Sequence, residues 1–473
     1  MPNIFEYIFV NTFNRASQAG QPESRGGLPL GILVRDERNT NKWYYLPTEL
    51  RKQHIAIQGK TGSGKSYHLL HIARHEVDAG RGFTLFDQHG DLIPSILQYI
   101  AATKPHSYES TILIDPTSRD SAVGLNPLSA RDEYEMFRKA AEVTRSFVDK
   151  WDFKGARTEE VLRNSLFVLA ACGLTLLEVA PLLSNAEFRA ECLRRVLNPD
   201  VREFFEVRYD PLSPAMQGTL REPVLNKFSE FVTDPHFKYI LGQRISTVSF
   251  DDALAKGRIV LVKLDKGKLG AHAPTLGTLI LGELKSAIFR RTRKELYTIF
   301  ADEMQNLASV STDFELWFSE ARKFGVGIVT ANQYSAQLPS SLRSATQAIA
   351  TRIFFQLSPE DAAHVAQEIG GGKAMVERLR NLLPRHAIVR SGNTRSSPNE
   401  VAPEQSCVVQ LLQAFVAAIS GADVADDLDL LAIQNLRSSK FAQQMQIARR
   451  YHFRCVIPSH ESPPSMLPPL AFV

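Results

Sequence analysis

No run of apolar residues in the chain is long enough to cross a bilayer. The longest, from Leu166 to Leu177, is closed by Glu178, whereas a transmembrane helix needs about 20 such residues. The apolar stretch Ile4–Val10 is broken by Glu6 and is too short for a signal-peptide core. Cysteine is scarce. The four residues Cys172, Cys192, Cys407 and Cys455 form no C-x-x-C pair and have no histidines at zinc spacing, so neither a structural metal nor a disulfide framework is expected. A strong charge of one sign is also missing. The net charge of +4 permits a nucleic-acid partner without requiring one. There is no internal repeat, and no interleaving of aromatic and basic residues marks a platform for stacking single-stranded bases. The expectation is a cytoplasmic protein with no intrinsic membrane span, any membrane association running through partners.

What is present is an ordinary globular composition, 44% apolar and 22% charged, over 473 residues, enough for two or three domains. Short apolar runs read as strands at Gly31–Arg35, His54–Gln58, Phe83–Phe86 and Thr111–Ile114, with helical spacing over Ser66–Ala79. From about residue 130 to 245 the texture is helical, with segments at Asp132–Asp149, Glu159–Ala171, Asn185–Leu197 and Val224–Phe231. Strands resume at Arg258–Leu264, Tyr297–Ala301, Val326–Ala331 and Arg352–Leu357. Alternating strands and helices predict a mainly parallel sheet covered by helices. The organisation expected is a lead-in over 1–45, an α/β domain in two parts (46–129 and 251–400), an inserted all-α domain over 130–250, and a C-terminal extension over 401–473. That extension is partly flexible, with a proline-rich tail.

The strand His54–Gln58 feeds the sequence Gly59-Lys60-Thr61-Gly62-Ser63-Gly64-Lys65-Ser66, which fits G-x-x-x-x-G-K-[ST] with a helix behind it. Glycines let the backbone curl so that its N–H groups face phosphates, and the helix offers its N-terminus to the same anion. Lys65 would reach the β- and γ-phosphates of ATP, and Ser66 would ligate Mg²⁺. A carboxylate is then needed at the end of a neighbouring buried strand. Asp302, after Tyr297–Ala301, suits the metal, and Glu303 suits activation of a water molecule. Phosphoryl transfer also calls for positioning and charge-stabilising groups. Gln333, beside Asn332 at the end of Val326–Ala331, and Arg322, on the helix expected at Phe314–Lys323, are candidates. Read from the residues alone, each serves equally as an ordinary surface polar group.

Five segments in order resemble the HerA–FtsK superfamily of ring ATPases, and most of all the TraG/TraD-type coupling proteins of conjugative type IV secretion. They are GKTGSGKS at 59–66, FDQHGDL at 86–92, IDPTSRDSAVGLNPL at 114–128, ADEMQNL at 301–307 and EARKFGVGIVTANQY at 320–334, and the likeness spans about residues 45–400. The resemblance implies a RecA-like P-loop NTPase fold interrupted by an all-α domain. It implies a homo-oligomeric ring, a hexamer, that hydrolyses ATP with Mg²⁺ to move DNA, with relaxase or secretion-channel proteins as partners. It implies that Arg322 acts in a neighbouring subunit's site, that Gln333 monitors the γ-phosphate, and that Gln305 couples the site to the subunit interface. Asp87 and His89 would lie at a strand end near the nucleotide. The chain departs from the family in lacking the transmembrane helices of anchored coupling proteins. It also lacks the room for a β-barrel in residues 1–45, and it has Gln88 where the family has proline.

Candidate phosphate contacts for DNA in a ring pore are Lys150, Lys154 and Arg157, and Lys263, Lys266 and Lys268. The run Arg290-Arg291-Thr292-Arg293-Lys294 reads instead as a helix end favoured by the dipole. Alternative readings of the whole are a type IV secretion ATPase acting on protein, a DNA-processing or defence ATPase partnered with a nuclease, and a nucleotide-gated binding module.

Overall fold

A computed structural model describes residues 6–9, 27–35, 38–118, 122–151, 155–307, 313–391 and 406–410. Lys154, Cys455 and the proline-rich tail lie outside them, as does the side chain of Lys150. The strands are β1 (Glu6–Phe9), β2 (Gly27–Arg35), β3 (Arg38–Pro47), β4 (Ile55–Gln58), β5 (Phe83–Asp87), β6 (Ile112–Ile114), β7 (Val260–Lys263), β8 (Tyr297–Asp302), β9 (Val326–Asn332), β10 (Thr351–Phe354), β11 (His386–Ser391) and β12 (Ser406–Gln410). They form one sheet in the order β3-β2-β1-β12-β11-β10-β4-β9-β8-β5-β7-β6. Every pairing from β10 through to β6 is parallel. Antiparallel pairing begins where β10 meets β11.

The central parallel strands are buried on both faces. β8 and β9 are buried at every position, and such strands read as near-continuous apolar runs rather than alternating ones. That is why these strands were visible in the sequence. The antiparallel flank was mostly not. Where one strand was expected at Gly31–Arg35, β2 and β3 form a hairpin interrupted by register shifts, and β3 opens with the polar residues Arg38–Lys42. β11 and β12 were not anticipated either, since their apolar content is only a few residues each.

Between β6 and β7 the described chain is helical. The longest members are Glu133–Trp151, Ala156–Ala171 and Pro214–Thr233. Their apolar residues are continuous with those under the sheet: Val260, Ile299 and Ala301 belong to the same cluster as Phe147, Phe228 and Phe237. Phe147 and Phe228 lie with ring centroids 4.6 Å apart. Ion pairs add direction to this packing. Lys139, buried on the helix Glu133–Trp151, donates to both oxygens of Glu283 at 2.9 Å, on the helix Ala273–Arg290. Asn126, in the Asn-Pro-Leu segment, is fully buried and donates to the carbonyls of Leu174 and Arg244, both at 3.1 Å. It thereby ties the entry to the helical region to the loop after the helix Ala156–Ala171 and to the segment before β7.

The basic run ends this helix, with Arg290 in the last turn, and its members are also tied into the surrounding structure. Arg290 forks onto Asp251, Arg291 donates to the carbonyls of Phe324 and Glu295, Arg293 to that of Ala255 and Lys294 to that of Lys323. Among the described residues no helix is long and apolar enough to cross a membrane.

Candidate nucleotide site

The carboxyl ends of the parallel strands converge on the loop that follows β4. Its backbone is pinned from both sides. Gly59 N–H donates to the carbonyl of Asn332 (3.3 Å), the last residue of β9, and Lys60 N–H donates to the Gln356 carbonyl (2.8 Å) beyond β10. A Cβ on Gly59 would sit 2.5 Å from Cβ of Phe355, so only glycine allows this approach. Gly64, at φ +115°, precedes the helix Lys65–Asp78 and supplies no side-chain cap. The first N–H groups of that helix therefore remain available to an anion, which a helix N-terminus with its positive dipole end favours. The Lys60 carbonyl accepts from Ser63 Oγ (2.6 Å) and from Lys65 Nζ (2.8 Å), so the lysine is folded back onto its own loop. Burial lowers the Lys65 pKa, and the charges of Asp302 and Glu303 oppose that shift. Lys65 and the acidic pair therefore share one electrostatic site.

Asp302 ends β8 opposite Ala331 of β9 and is 6% exposed. Burial, then the neighbouring Glu303, pushes its pKa up to about 6. Glu303 is a non-glycine residue at φ +51°, a strained position whose N–H is held by the Ala331 carbonyl at 2.9 Å. Its carboxylate is surrounded by donors. Gln333 Nε2 donates to Oε1 at 3.1 Å, and His89 Nε2 lies 3.2 Å from the same oxygen. Asn306 Nδ2 donates to Oε2 at 2.8 Å, and Lys266 Nζ is 3.6 Å away. Burial raises the Glu303 pKa, but the hydrogen bond and charge of His89, with Lys266 and Asn306, outweigh it and the net shift is downward. At neutral pH Glu303 is therefore an ionised acceptor of protons. Gln333 in turn accepts from Thr61 Oγ1 at 3.1 Å. A hydrogen-bonded chain, Thr61–Gln333–Glu303, thus runs from the phosphate loop to the acidic pair.

This set suits Mg²⁺ with a nucleotide. Among the described residues no three His, Cys, Asp or Glu side chains converge as a metal cluster. Mg²⁺ asks for less, being held by one or two protein oxygens together with phosphates and water. Asp302, desolvated and beside Lys65, is the carboxylate with most to gain from a cation, and the exposed Ser66 hydroxyl opens the helix behind the loop.

Several sequence candidates take other roles. Asp87 is fully buried and accepts four backbone N–H groups, from His89, Gly90, Leu92 and Ile93, at 2.8–3.2 Å, so it builds the loop and the start of the helix Leu92–Thr103. Gln88 is fully buried, and neither of its amide atoms meets a partner among the described residues. Gln305 reaches Gln337 Oε1 at 3.5 Å. Lys263 is paired with Asp115 at 2.9 Å, and Lys266 faces Glu303, so neither is a free contact for DNA. Lys268 lies 3.7 Å from Asp265 and stays exposed, as does Arg157. Arg322 lies just before β9, at the edge of the sheet opposite the loop, and the full length of β9, about 20 Å, separates it from this chain's own site. Sequence reading missed Lys266, Asn306 and Thr61 as partners in this network. Lys266 reads as a plain basic loop residue, and its pairing with Glu303 depends on β7 lying two strands from β8.

No protein-family model matches the sequence, and no curated protein matches it. Solved structures do. The plasmid coupling protein TrwB bound to a non-hydrolysable ATP analogue aligns over 78% of this chain and 87% of its own, with a TM-score of 0.56 at 16% identity. VirB4 of Thermoanaerobacter pseudethanolicus aligns over 79% and 98%, with a TM-score of 0.56 at 14% identity. The chain has the RecA-like P-loop NTPase fold of these two proteins. In this fold the loop, the Asp302–Glu303 pair and Gln333 lie at the ends of the neighbouring strands β4, β8 and β9. TrwB has also been solved with ADP and Mg²⁺, and that form aligns with a TM-score of 0.50 at 15% identity.

The raised pKa of Asp302 has a consequence for stability. The folded state disfavours the ionised carboxylate. This leaves a penalty that is absent below the unfolded pKa of about 3.9 and complete once pH rises above about 6. Asp302→Asn removes it. The nucleotide-free variant should be more stable than the parent at pH 7.5, by on the order of 2 kcal/mol, and the gain should shrink as pH falls toward 4. Urea midpoints at both pH values check this, and a variant less stable than the parent at pH 7.5 contradicts a strained carboxylate.

Proposed function

We propose that the chain is a Mg²⁺-dependent ATPase that works as a homomeric ring, a hexamer, and moves DNA, in the manner of a conjugative coupling protein. The observation that carries the reading is the Thr61–Gln333–Glu303 chain, which joins the phosphate loop to an ionised carboxylate through the residue positioned to feel the γ-phosphate. The amides of Gly59, Lys60, Thr61, Gly62, Ser63 and Gly64 cradle the phosphates of ATP, and Lys65 leaves the Lys60 carbonyl to neutralise the β- and γ-oxygens. Ser66 and Asp302 hold Mg²⁺, which supplies charge stabilisation on the phosphate oxygens. Glu303 takes a proton from water while the water oxygen bonds to the γ-phosphorus. The bond from that phosphorus to the bridging oxygen breaks, and ADP leaves with the electron pair. Gln333 relays the loss of the γ-phosphate to the loop through Thr61. Arg322 of a neighbouring subunit completes the charge stabilisation, because the sheet separates it from its own site.

The fold likeness to VirB4 is as close as that to TrwB, which keeps a second reading: an ATPase of type IV secretion that acts on protein. The two separate in one assay. ATP hydrolysis is measured with and without single- and double-stranded DNA at low salt, then again as salt is raised. DNA translocation predicts a several-fold stimulation that fades with salt, since phosphate contacts release counterions. Turnover unaffected by either DNA overturns the DNA reading and favours the protein one. Turnover near zero in all conditions leaves only a nucleotide-gated binding module.

A further inference from the structure

One flank of the phosphate loop is not used by the reaction groups. β4 lies between β9 and β10, and Glu303 and Gln333 stand on the β9 side. The γ end of a nucleotide points there, so its nucleoside must lie on the β10–β11 side. On that side stands the turn Leu383-Pro384-Arg385-His386, closed by a hydrogen bond from His386 N–H to the Leu383 carbonyl at 3.0 Å. Proline at the second position and a positive φ at the third make it a type II turn, whose third position favours glycine. Here it is Arg385, at φ +68°. A side chain kept at a backbone position that disfavours side chains points to a function for it.

Arg385 is also locked to the loop. Its N–H donates to the Ser63 carbonyl at 2.7 Å, and its Cα would lie 3.2 Å from a Cβ on Gly64. Its guanidinium stands over the ring of Tyr67, 5.4 Å from the centroid. Tyr67 follows Ser66 on the first turn of the loop's helix and is 45% exposed. Leu383, on the same turn, is 63% exposed. A planar cation over a phenol ring, flanked by an exposed leucine, is a surface suited to a third planar group. We infer that Arg385 and Tyr67 form the nucleobase wall of this loop, and that it holds a purine by stacking, without choosing between adenine and guanine. Stacking uses the π-face that every base has and does not read the donors and acceptors that tell bases apart. The inference rests on the loop binding a nucleoside triphosphate.

The test is equilibrium binding of ATP, GTP and inorganic tripolyphosphate, each with Mg²⁺, to the full chain and to Arg385→Gly, Arg385→Lys and Tyr67→Ala. Glycine favours the positive φ, so Arg385→Gly keeps the turn and the bond to Ser63 while removing only the side chain. The parent should bind ATP and GTP within about threefold of each other, because a stacking wall is tolerant of base identity. Arg385→Gly and Tyr67→Ala should each weaken both by about tenfold and leave tripolyphosphate unchanged, stacking being the interaction lost. Arg385→Lys, which keeps the charge but not the plane, should behave like Arg385→Gly. Equal weakening of tripolyphosphate, unchanged ATP affinity in the variants, or strong preference of the parent for one purine each overturns the inference. A parent that binds tripolyphosphate but no nucleotide overturns it while sparing the phosphate loop, and one that binds neither overturns the ATPase reading as well.

Discussion

Lys65→Ala should abolish ATP hydrolysis, lowering turnover by at least about 10³-fold, since a preorganised charge on the transferring phosphate is worth that much in comparable sites. The loss is expected in chemistry and not in folding. In the nucleotide-free protein Lys65 Nζ donates, among the described residues, to the carbonyl of Lys60 in its own loop. The loop is separately pinned by Gly59 N–H to Asn332, Lys60 N–H to Gln356 and Arg385 N–H to Ser63. The lysine is also buried at some expense, its pKa lowered by desolvation despite the nearby Asp302 and Glu303. An unchanged circular-dichroism spectrum and urea midpoint, with turnover lost, is the expected outcome. Turnover within tenfold of the parent would show that phosphates are not held at this loop.

Arg322→Ala should lower turnover by about 10³-fold or more while leaving ATP binding intact, the size expected for an arginine finger. The direction follows from position. Arg322 is exposed at the edge of the sheet where β9 begins, and the site is where β9 ends, so the two cannot meet within one chain. Mixed rings separate the two ways in which a remote arginine can matter. Glu303→Gln removes the proton acceptor and keeps an accepting oxygen at only one of its two positions, but it leaves Arg322 at the other end of β9 untouched, so a Glu303→Gln subunit can still lend its arginine. Mixing it with Arg322→Ala subunits places intact sites next to intact arginines at some interfaces, and activity should partly return. If mixing restores nothing, Arg322 does not act across a subunit boundary.

The parts of this site that lie in one continuous segment were legible early. The glycine pattern from Gly59 to Ser66 requires its own backbone curl, and the buried strand before Asp302 is visible because a strand covered on both faces needs apolar residues at every position. The antiparallel flank was less legible. β3 carries polar residues, and β11 carries only a short apolar stretch after Pro384. A strand so short competes poorly with a loop in any pattern reading. The basic residues misled for a related reason. Lys263 and Lys266 are cationic in sequence, but their partners Asp115 and Glu303 are supplied by elements remote in the chain.

By itself the sequence marked the glycine loop of residues 59–66, the acidic pair Asp302–Glu303 and the alternation that makes a parallel sheet. Each of these depends on residues within a few positions of one another. Only the tertiary structure decided that Gln333 spans from Thr61 to Glu303, that Asp87 serves its own loop, and that Arg322 lies at the far end of β9 from its own chain's Glu303 and Gln333. The reason is the strand order: β4, β8 and β9 come from segments far apart in the chain, and their ends become neighbours only because parallel pairing aligns every carboxyl end along one edge of the sheet.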